Sequence, residues 1–373
     1  MQTTLPLGSK TYFLTAPSSK AFKAFSNLLP KVLSKTSFSL SPKPLTLTLP
    51  QTSSNTCSSF FTTPKPSTKN FHAICLKITS KNNIILSLLG AFLLIRPYIP
   101  WPALLIKNGE KTVVIGDLHL GYEFELTESG INLPSQTGKI REKLISLLKK
   151  VKADRLIILG DFKHSIPKIS LQEWKDIPDF LDEVEKNVSS ILIVPGNHDG
   201  GLSSIVSPQN VKIVSRRGII VGGKEKIGLF HGHTWPSPKL FEAKTWVIGH
   251  NHPTIQFKSF FGFKVSKPIW VKAPINKHKL IESFLKHRNV KVEGKKSLEK
   301  VLREKYGVKA ECSNLIILPA FNELLGGLPF NVKKQDELLG PILRSRGVIL
   351  EKAEVFLLDG TYLGFLKDLK NPS

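Results

Sequence analysis

From residue 111 onward, short apolar runs alternate with longer stretches in which apolar positions recur every three or four residues. Five runs, 112–116 (TVVIG), 155–160 (RLIILG), 190–195 (SILIVP), 226–230 (KIGLF) and 245–249 (TWVIG), read as buried strands. Between the first two, Ile140, Leu144, Leu147, Leu148 and Val151 fall on one helical face, which predicts a helix capped near Ser135 or Thr137. A second helix is predicted near 171–184, and the runs 314–319 and 353–358 read as strands closing the same domain. Strands alternating with helices imply an α/β fold, in which functional residues gather beyond the carboxyl ends of the strands. Each of the five runs leads directly into a polar cluster.

Upstream the pattern is absent. Residues 1–82 are rich in Ser, Thr, Pro and Lys, lack Asp and Glu, and show no sustained period, which predicts a disordered N-terminal leader. This composition suits an organellar transit peptide, although such leaders favour Arg over Lys. The alternative is an extension created by a start codon placed too far upstream. The first reading places the protein in a plastid or another organelle, the second in the cytoplasm. The run 84–95 (IILSLLGAFLLI) has twelve residues, whereas a membrane span needs about twenty. Arg96, Pro97, Pro100 and Pro102 interrupt any extension of it. No stable membrane span is therefore expected; 83–110 is read as an apolar, Pro-rich lead-in, with a short anchor helix as the alternative. Residues 111–368 form the expected catalytic domain.

Charge changes this picture less than its total suggests. The net charge is +24, but no acidic residue precedes Glu110, while eleven Lys and Arg96 do, so +12 lies in that stretch. The rest is a moderately basic protein. Its most basic part, 276–312, has eleven Lys or Arg against five Glu and reads as one or two surface helices with a turn at Gly294. Cys57, Cys75 and Cys312 are odd in number and widely spaced, which argues against a disulfide framework and a thiolate metal site.

The polar clusters are GDLHLG (116–121), GDFKH (160–164), GNHDG (196–200), HGH (231–233) and GHNH (249–252), and they contain seven of the ten histidines. One Asp-x-His means little; five such clusters, each after a buried run, point to a shared centre. Mixed carboxylate, imidazole and amide donors without thiolates suit borderline divalent ions such as Mn, Fe or Zn. The donors suffice for two ions, and a two-metal site makes hydroxide available at neutral pH and clamps a phosphoryl oxygen.

The order Asp-x-His, Gly-Asp, Gly-Asn-His-Asp, His, Gly-His-x-His resembles the calcineurin-like metallophosphoesterases across all five of their motifs. More narrowly, GDLHLGYE, LGDFKH, LPAFN and LLDGTYLG are similar to archaeal phosphoesterases related to the Icc protein and to bacterial ligase-associated phosphoesterases. The resemblance spans about 94–368. It implies a four-layer αββα sandwich with two mixed sheets and two divalent ions, Mn foremost with Fe or Zn as alternatives. One ion would be held by Asp117, His119 and His252, the second by Asn197, His231 and His250, with Asp161 bridging. His198 would protonate the departing oxygen, with Asp199 orienting its ring. His233 either contacts the substrate phosphate or replaces His231 as ligand; His231 is preferred because it directly follows its strand. Lys163 and His164 either bind phosphate or pack behind the site. Trp235 and Pro236 line the cleft or belong to the core, and Tyr122 and Glu123 read as structural.

The expected activity is hydrolysis of a phosphomonoester or phosphodiester by a metal-bridging hydroxide. The resemblance to ligase-associated phosphoesterases implies a nucleotide or a nucleic-acid end as substrate, and the absence of the Asp-Arg-Gly continuation typical of protein serine/threonine phosphatases argues against that class. The competing readings are a nucleic-acid-binding protein with a vestigial metal site and a membrane-associated hydrolase.

Overall fold

Alternation within the buried strands sets the layering. The computed structural model describes residues 94–370 except 207–209, 224, 260 and 293–296. The leader and the apolar run up to residue 93 lie outside the described residues, as does Gly294. In β3 (Glu110–Ile115) Val113 and Ile115 join one core and Val114 another; in β4 (Arg155–Leu159) Leu156 and Ile158 separate in the same way from Ile157 and Leu159. A strand buried on both faces must serve two cores at once, and the period of two delivers that.

The first sheet has the order β1 (Leu94–Pro97), β2 (Leu104–Asn108), β3, β4, β5 (Ser190–Val194), β6 (Val211–Ile213). Its first three strands are antiparallel and β3 to β6 are parallel. The lead-in thus supplies two strands that the apolar pattern had not separated. The second sheet contains β7 (Ile219–Val221), β8 (Ile227–Leu229), β9 (Thr245–Ile248), β10 (Pro253–Lys258), β11 (Lys264–Pro274), β12 (Asn314–Ile317) and β13 (Leu328–Pro329), with β14 (Glu354–Leu357) and β15 (Tyr362–Phe365) joined through β11. It too is mixed, β8, β9 and β12 being parallel and β10, β11 and β12 antiparallel.

Three cores hold four layers. Helices α2 (Thr137–Val151) and α3 (Leu171–Glu185) pack on the outer face of the first sheet through the predicted Ile140, Leu144, Leu147 and Leu148, joined by Ile177, Phe180 and Val184. Leu104, Ile106, Val114, Ile157 and Leu159 meet Leu229, Val247 and Trp270 between the sheets. Helices α4 (Lys277–His287) and α5 (Leu298–Tyr306) bury Leu280, Ile281, Phe284, Leu285 and Leu302 on the outer face of the second sheet. The two helices of the basic stretch therefore form the fourth layer, their apolar stripes inward. This is the αββα sandwich that the motif order implied. Trp235 and Pro236 are buried, and Trp235 packs against Phe284 in the same core, so the cleft reading of the pair gives way to the core reading.

Helix α2 starts where the sequence placed its cap: the cap residue is Gln136, and the Ser135 hydroxyl oxygen accepts the Thr137 N–H at 3.4 Å. The buried Glu123 of helix α1 (Tyr122–Glu128) supports this turn from outside, accepting the Gln136 N–H at 2.9 Å and the Ser135 hydroxyl at 3.1 Å. Among the described residues no helix is long and apolar enough to cross a membrane.

Candidate metal centre

Five strand ends converge where the two sheets meet. Asp117 and His119 follow β3, Asp161 follows β4, Asn197 to Asp199 follow β5, His231 and His233 follow β8, and His250 and His252 follow β9. The loops are cross-tied by main chain: Asp117 N–H donates to the Gly160 carbonyl at 3.1 Å, His119 N–H to Asp161 at 2.8 Å, and Gly249 N–H to His231 at 3.0 Å.

Among the described residues three side-chain groups result: two clusters with a carboxylate, Asp117 with His119 and His252 and Asp161 with His231 and His250, and one of imidazoles alone, His119 with His164 and His198. His252 Nε2 lies 3.3 Å from Asp117 Oδ1. His119 Nε2 and His231 Nε2 lie 3.4 and 3.2 Å from the same oxygen, Asp161 Oδ2. These three ring nitrogens are buried and have no hydrogen-bond partner, a state that is costly for a polar atom. Divalent cations among them would satisfy all three, so the donor set fits the metal that the motifs imply. The other ring nitrogens are spoken for: His231 Nδ1 faces the Leu159 carbonyl at 3.0 Å and His252 Nδ1 the Gly326 carbonyl at 3.3 Å. Such outer partners fix which nitrogen points inward.

The electrostatics agree. Burial opposes the charge on Asp161, but His231 and His119 beside it hold its carboxyl far below the ordinary range; His252 and His231 likewise outweigh burial at Asp117. Burial also disfavours a proton on His231, yet Asp161 and Asp117 push it up to about 9. His250 is pushed down to about 3, by burial and then by His231. Two buried carboxylates thus draw positive charge into a site that burial would keep neutral.

The surrounding residues divide differently from the sequence reading. His198 Nδ1 donates to the His164 carbonyl, 2.6 Å away, and its main-chain N–H donates to Asp161 Oδ1 at 2.9 Å. Asp199 does not orient that ring. Its carboxylate accepts the main-chain N–H groups of Phe162, Lys163 and Gly196 at 2.9, 3.2 and 2.7 Å, pinning the second loop to the third. Lys163 is fully buried and its ammonium donates to the Ser165 carbonyl, which takes it away from a substrate phosphate. Asn197 is exposed, between Gly196 and His198 in the loop after β5. His233 stands beside His231 and His250 with ring centroids 5.2 and 6.1 Å apart, while His231 is the one that clusters with Asp161. Burial, then His231, pushes His233 down to about 4; the exposed Arg216 acts in the same direction.

His164 stands against His119 and His198. Its Nδ1 lies 3.0 Å from His119 Nδ1, and its Nε2 contacts the Glu125 carboxylate. Glu125 carried no sequence signal, being one of several acids on a short helix. Asn322, the last residue of LPAFN, also acts here: its side chain donates to the Leu118 carbonyl at 2.9 Å, and Phe321 N–H donates to Gly116. The loop glycines prove to be spacers. A Cβ on Gly196 would sit 2.1 Å from Asp161 Oδ1, and one on Gly249 2.6 Å from Asp117 Oδ2.

With this geometry stands a family match. The profile of the calcineurin-like phosphoesterases covers residues 110–312, just over half of the chain. The protein belongs to that family. It is accordingly a metal-dependent phosphoesterase. Similar solved structures include the Pseudomonas putida nuclease MPE, at 16% identity and TM-score 0.39 over 72% of this chain and 100% of that one. The phosphoesterase Yfce from E. coli matches at 21% identity and TM-score 0.26, over 40% of this chain and 73% of that one. A protein of unknown function from Aquifex aeolicus, AQ665, matches at 19% and 0.27 over 37% and 77%. Curated proteins give no match.

Proposed function

We propose that the family member described here hydrolyses a phosphoester of a nucleotide or nucleic-acid end with two divalent ions, Mn first among them. The observation that carries the two-ion reading is the convergence of His119 Nε2 and His231 Nε2, one from each cluster, on Asp161 Oδ2. One carboxylate oxygen within 3.4 Å of a ring nitrogen from each cluster supports Asp161 as a ligand that two ions would share. Asp117, His119 and His252 would hold one ion, and Asn197, His231 and His250 the other. When bound, such ions supply hydroxide at neutral pH and neutralise phosphoryl charge.

The remaining work falls to the chain. His198, whose Nδ1 donates to the His164 carbonyl and whose ring lies beside that of His119 with centroids 4.7 Å apart, would give the proton on Nε2 to the departing oxygen. His233 and Arg216 stand beside the second cluster, where a phosphoryl oxygen would meet the charge of Arg216 and a hydrogen bond from the neutral His233 ring. The nucleotide or nucleic-acid preference rests on the similarity of GDLHLGYE, LGDFKH and LPAFN to Icc-related and ligase-associated phosphoesterases.

The test uses full-length protein with Mn. Bis(p-nitrophenyl) phosphate or p-nitrophenyl phosphate should be hydrolysed, and Asp161→Asn and His198→Ala should each abolish turnover. No turnover of either ester with any divalent metal, together with tight salt-sensitive DNA binding, would show instead a binding protein with a vestigial centre.

A further inference from the structure

Asn251 stands between two histidines of the metal centre and is itself buried, 1% exposed. The turn it occupies divides its neighbours: His250 joins Asp161 and His231, and His252 joins Asp117 and His119. Both histidines hold a left-handed backbone, at φ 68° and 40°, so the turn needs support from elsewhere in the fold. The Asn251 carboxamide reaches across 88 positions to one residue. Its Nδ2 donates to the Leu339 carbonyl at 3.2 Å, and its Oδ1 accepts the Leu339 N–H at 2.9 Å. A carboxamide offers a donor and an acceptor side by side, and the main chain of one residue offers the complement. The pair is closed on itself, and neither ion nor substrate is needed to satisfy it.

The partner segment is anchored without that pair. Leu328 and Pro329 of β13 lie parallel to Pro253 and Thr254 of β10, and the Leu328 N–H donates to the His252 carbonyl at 3.1 Å. Phe330, Leu338, Ile342 and Leu343 are buried in the core beneath α4 and α5. A second asparagine, Asn331, 5% exposed, makes the same reciprocal pair with the main chain of Gln256, at 2.9 Å in both directions. The segment thus holds the sheet through Asn331 and meets the metal turn through Asn251. Its approach to the centre is close: a Cβ on Gly340 would lie 2.3 Å from the Gly232 carbonyl oxygen and 3.5 Å from His250 Cδ2. The Gly326 carbonyl, which faces His252 Nδ1, comes from the same segment. All of it lies beyond residue 312, where the family match ends.

We infer that Asn251 is a positioning residue for both metal sites, through which the segment 326–340 sets the turn that sends His250 to one site and His252 to the other. A support already fixed in the fold holds this turn before any ion arrives. Groups held in place beforehand lose less freedom on binding, and the partners behind a ligand govern its affinity for metal. The inference rests on the proposed two-ion centre, and its test separates the two.

Metal-free full-length protein is titrated with Mn by calorimetry, and its melting temperature is read in EDTA. Asn251→Ala and Asn331→Ala each delete one reciprocal pair made by a buried carboxamide, so both should melt at a lower temperature than the parent. Only Asn251→Ala should weaken Mn, at both sites and by about 10–100-fold; Asn331→Ala should bind it as the parent does. Equal Mn affinity in Asn251→Ala and the parent overturns the inference. So does an equal loss in the two variants, the mark of a residue that only stabilises the fold, and so does a loss at one of two sites. Should Asn251→Ala not fold, hydrogen exchange of the parent decides. Coupling between two binding events is reciprocal, so saturating Mn should slow the Leu339 amide about tenfold more than the Gln256 amide; equal slowing of both refutes the tie. A parent that binds a single Mn, weakened by Asn251→Ala and not by Asn331→Ala, removes the two-ion reading and leaves the positioning role standing at that site.

Discussion

Replacing Glu125 with glutamine removes one charge from a chain of contacts that ends at the metal centre. If His119 Nε2 faces an ion, its proton sits on Nδ1, and His164 Nδ1, 3.0 Å away, must accept it. His164 then carries its own proton on Nε2 and donates it to the Glu125 carboxylate. Only one arrangement of protons satisfies all three groups, and it makes His119 a better ligand. Glu125 is 60% exposed and His164 12%, so water screens the terminal pair. A hydrogen bond to a charged group contributes about 1.5–3 kcal/mol, and exposed ion pairs about 0–1. A loss of about 1 kcal/mol for Glu125→Gln is therefore expected, roughly fivefold in the Mn dissociation constant at about 1.4 kcal/mol per tenfold. His164→Ala removes the direct partner of His119, for which about 10–100-fold is expected.

Mn titration of metal-free protein by calorimetry measures both. Because the His164 main-chain carbonyl survives any substitution, His198 stays held in each variant, and kcat at saturating Mn should change little. An unchanged Mn affinity in His164→Ala would refute the relay. A fall in kcat at full Mn occupancy would instead place His164 against the reacting atoms.

Gly196→Ala drives a methyl to 2.1 Å from Asp161 Oδ1, whereas a Cβ on Gly200 meets nothing within 4 Å. The first should abolish Mn binding and turnover and cost about 1–3 kcal/mol in denaturant titration; the second should do neither. Mn at about 100 times its dissociation constant adds about 2.7 kcal/mol of stability, or roughly 5–10 °C in Tm for a domain of this size. Scanning calorimetry should show that shift in the parent and not in Asp161→Asn. Lys163→Met leaves the Ser165 carbonyl without its donor, so Tm should fall while KM for a small phosphoester holds; a KM increase at unchanged Tm would return Lys163 to the substrate.

The sequence showed the parts of the site that are local. A buried run followed by a turn with Asp or His is visible in a short window, so Asp117, His119, Asp161, His231, His250 and His252 could be named before their distances were known. What it hid depends on contacts between distant segments. Asp199 sits next to His198 in the chain, which suggested a partnership; in space it accepts the amides of Phe162 and Lys163. Glu125 reaches His164 across 39 positions, and LPAFN gained a purpose only when Asn322 met Leu118. The strands of the lead-in were masked by prolines: Pro97 lies on β1, whose edge position tolerates it, and Pro100 and Pro102 lie between β1 and β2.

The same long-range ties explain why the site can hold an unfavourable backbone. Asp117, His119, Asp161, His250 and His252 have φ of 57°, 43°, 47°, 68° and 40°, the left-handed region that a non-glycine residue enters at about 1–3 kcal/mol. All five belong to the two clusters, so the strain falls on the residues that must turn side chains inward directly after a strand. Each is fixed from another segment. His119 N–H donates to the Asp161 carbonyl, Leu120 N–H to Phe162, and His164 N–H back to Leu120; His250 N–H donates to the Asp117 carboxylate at 3.1 Å. Removing the ions leaves these bonds in place. The centre should therefore keep its shape without metal, and metal-free protein should retain the amide protection of the 116–121 and 160–164 loops in hydrogen exchange. Rapid exchange of both loops in EDTA, reversed by Mn, would show that the ions build the site and not the fold.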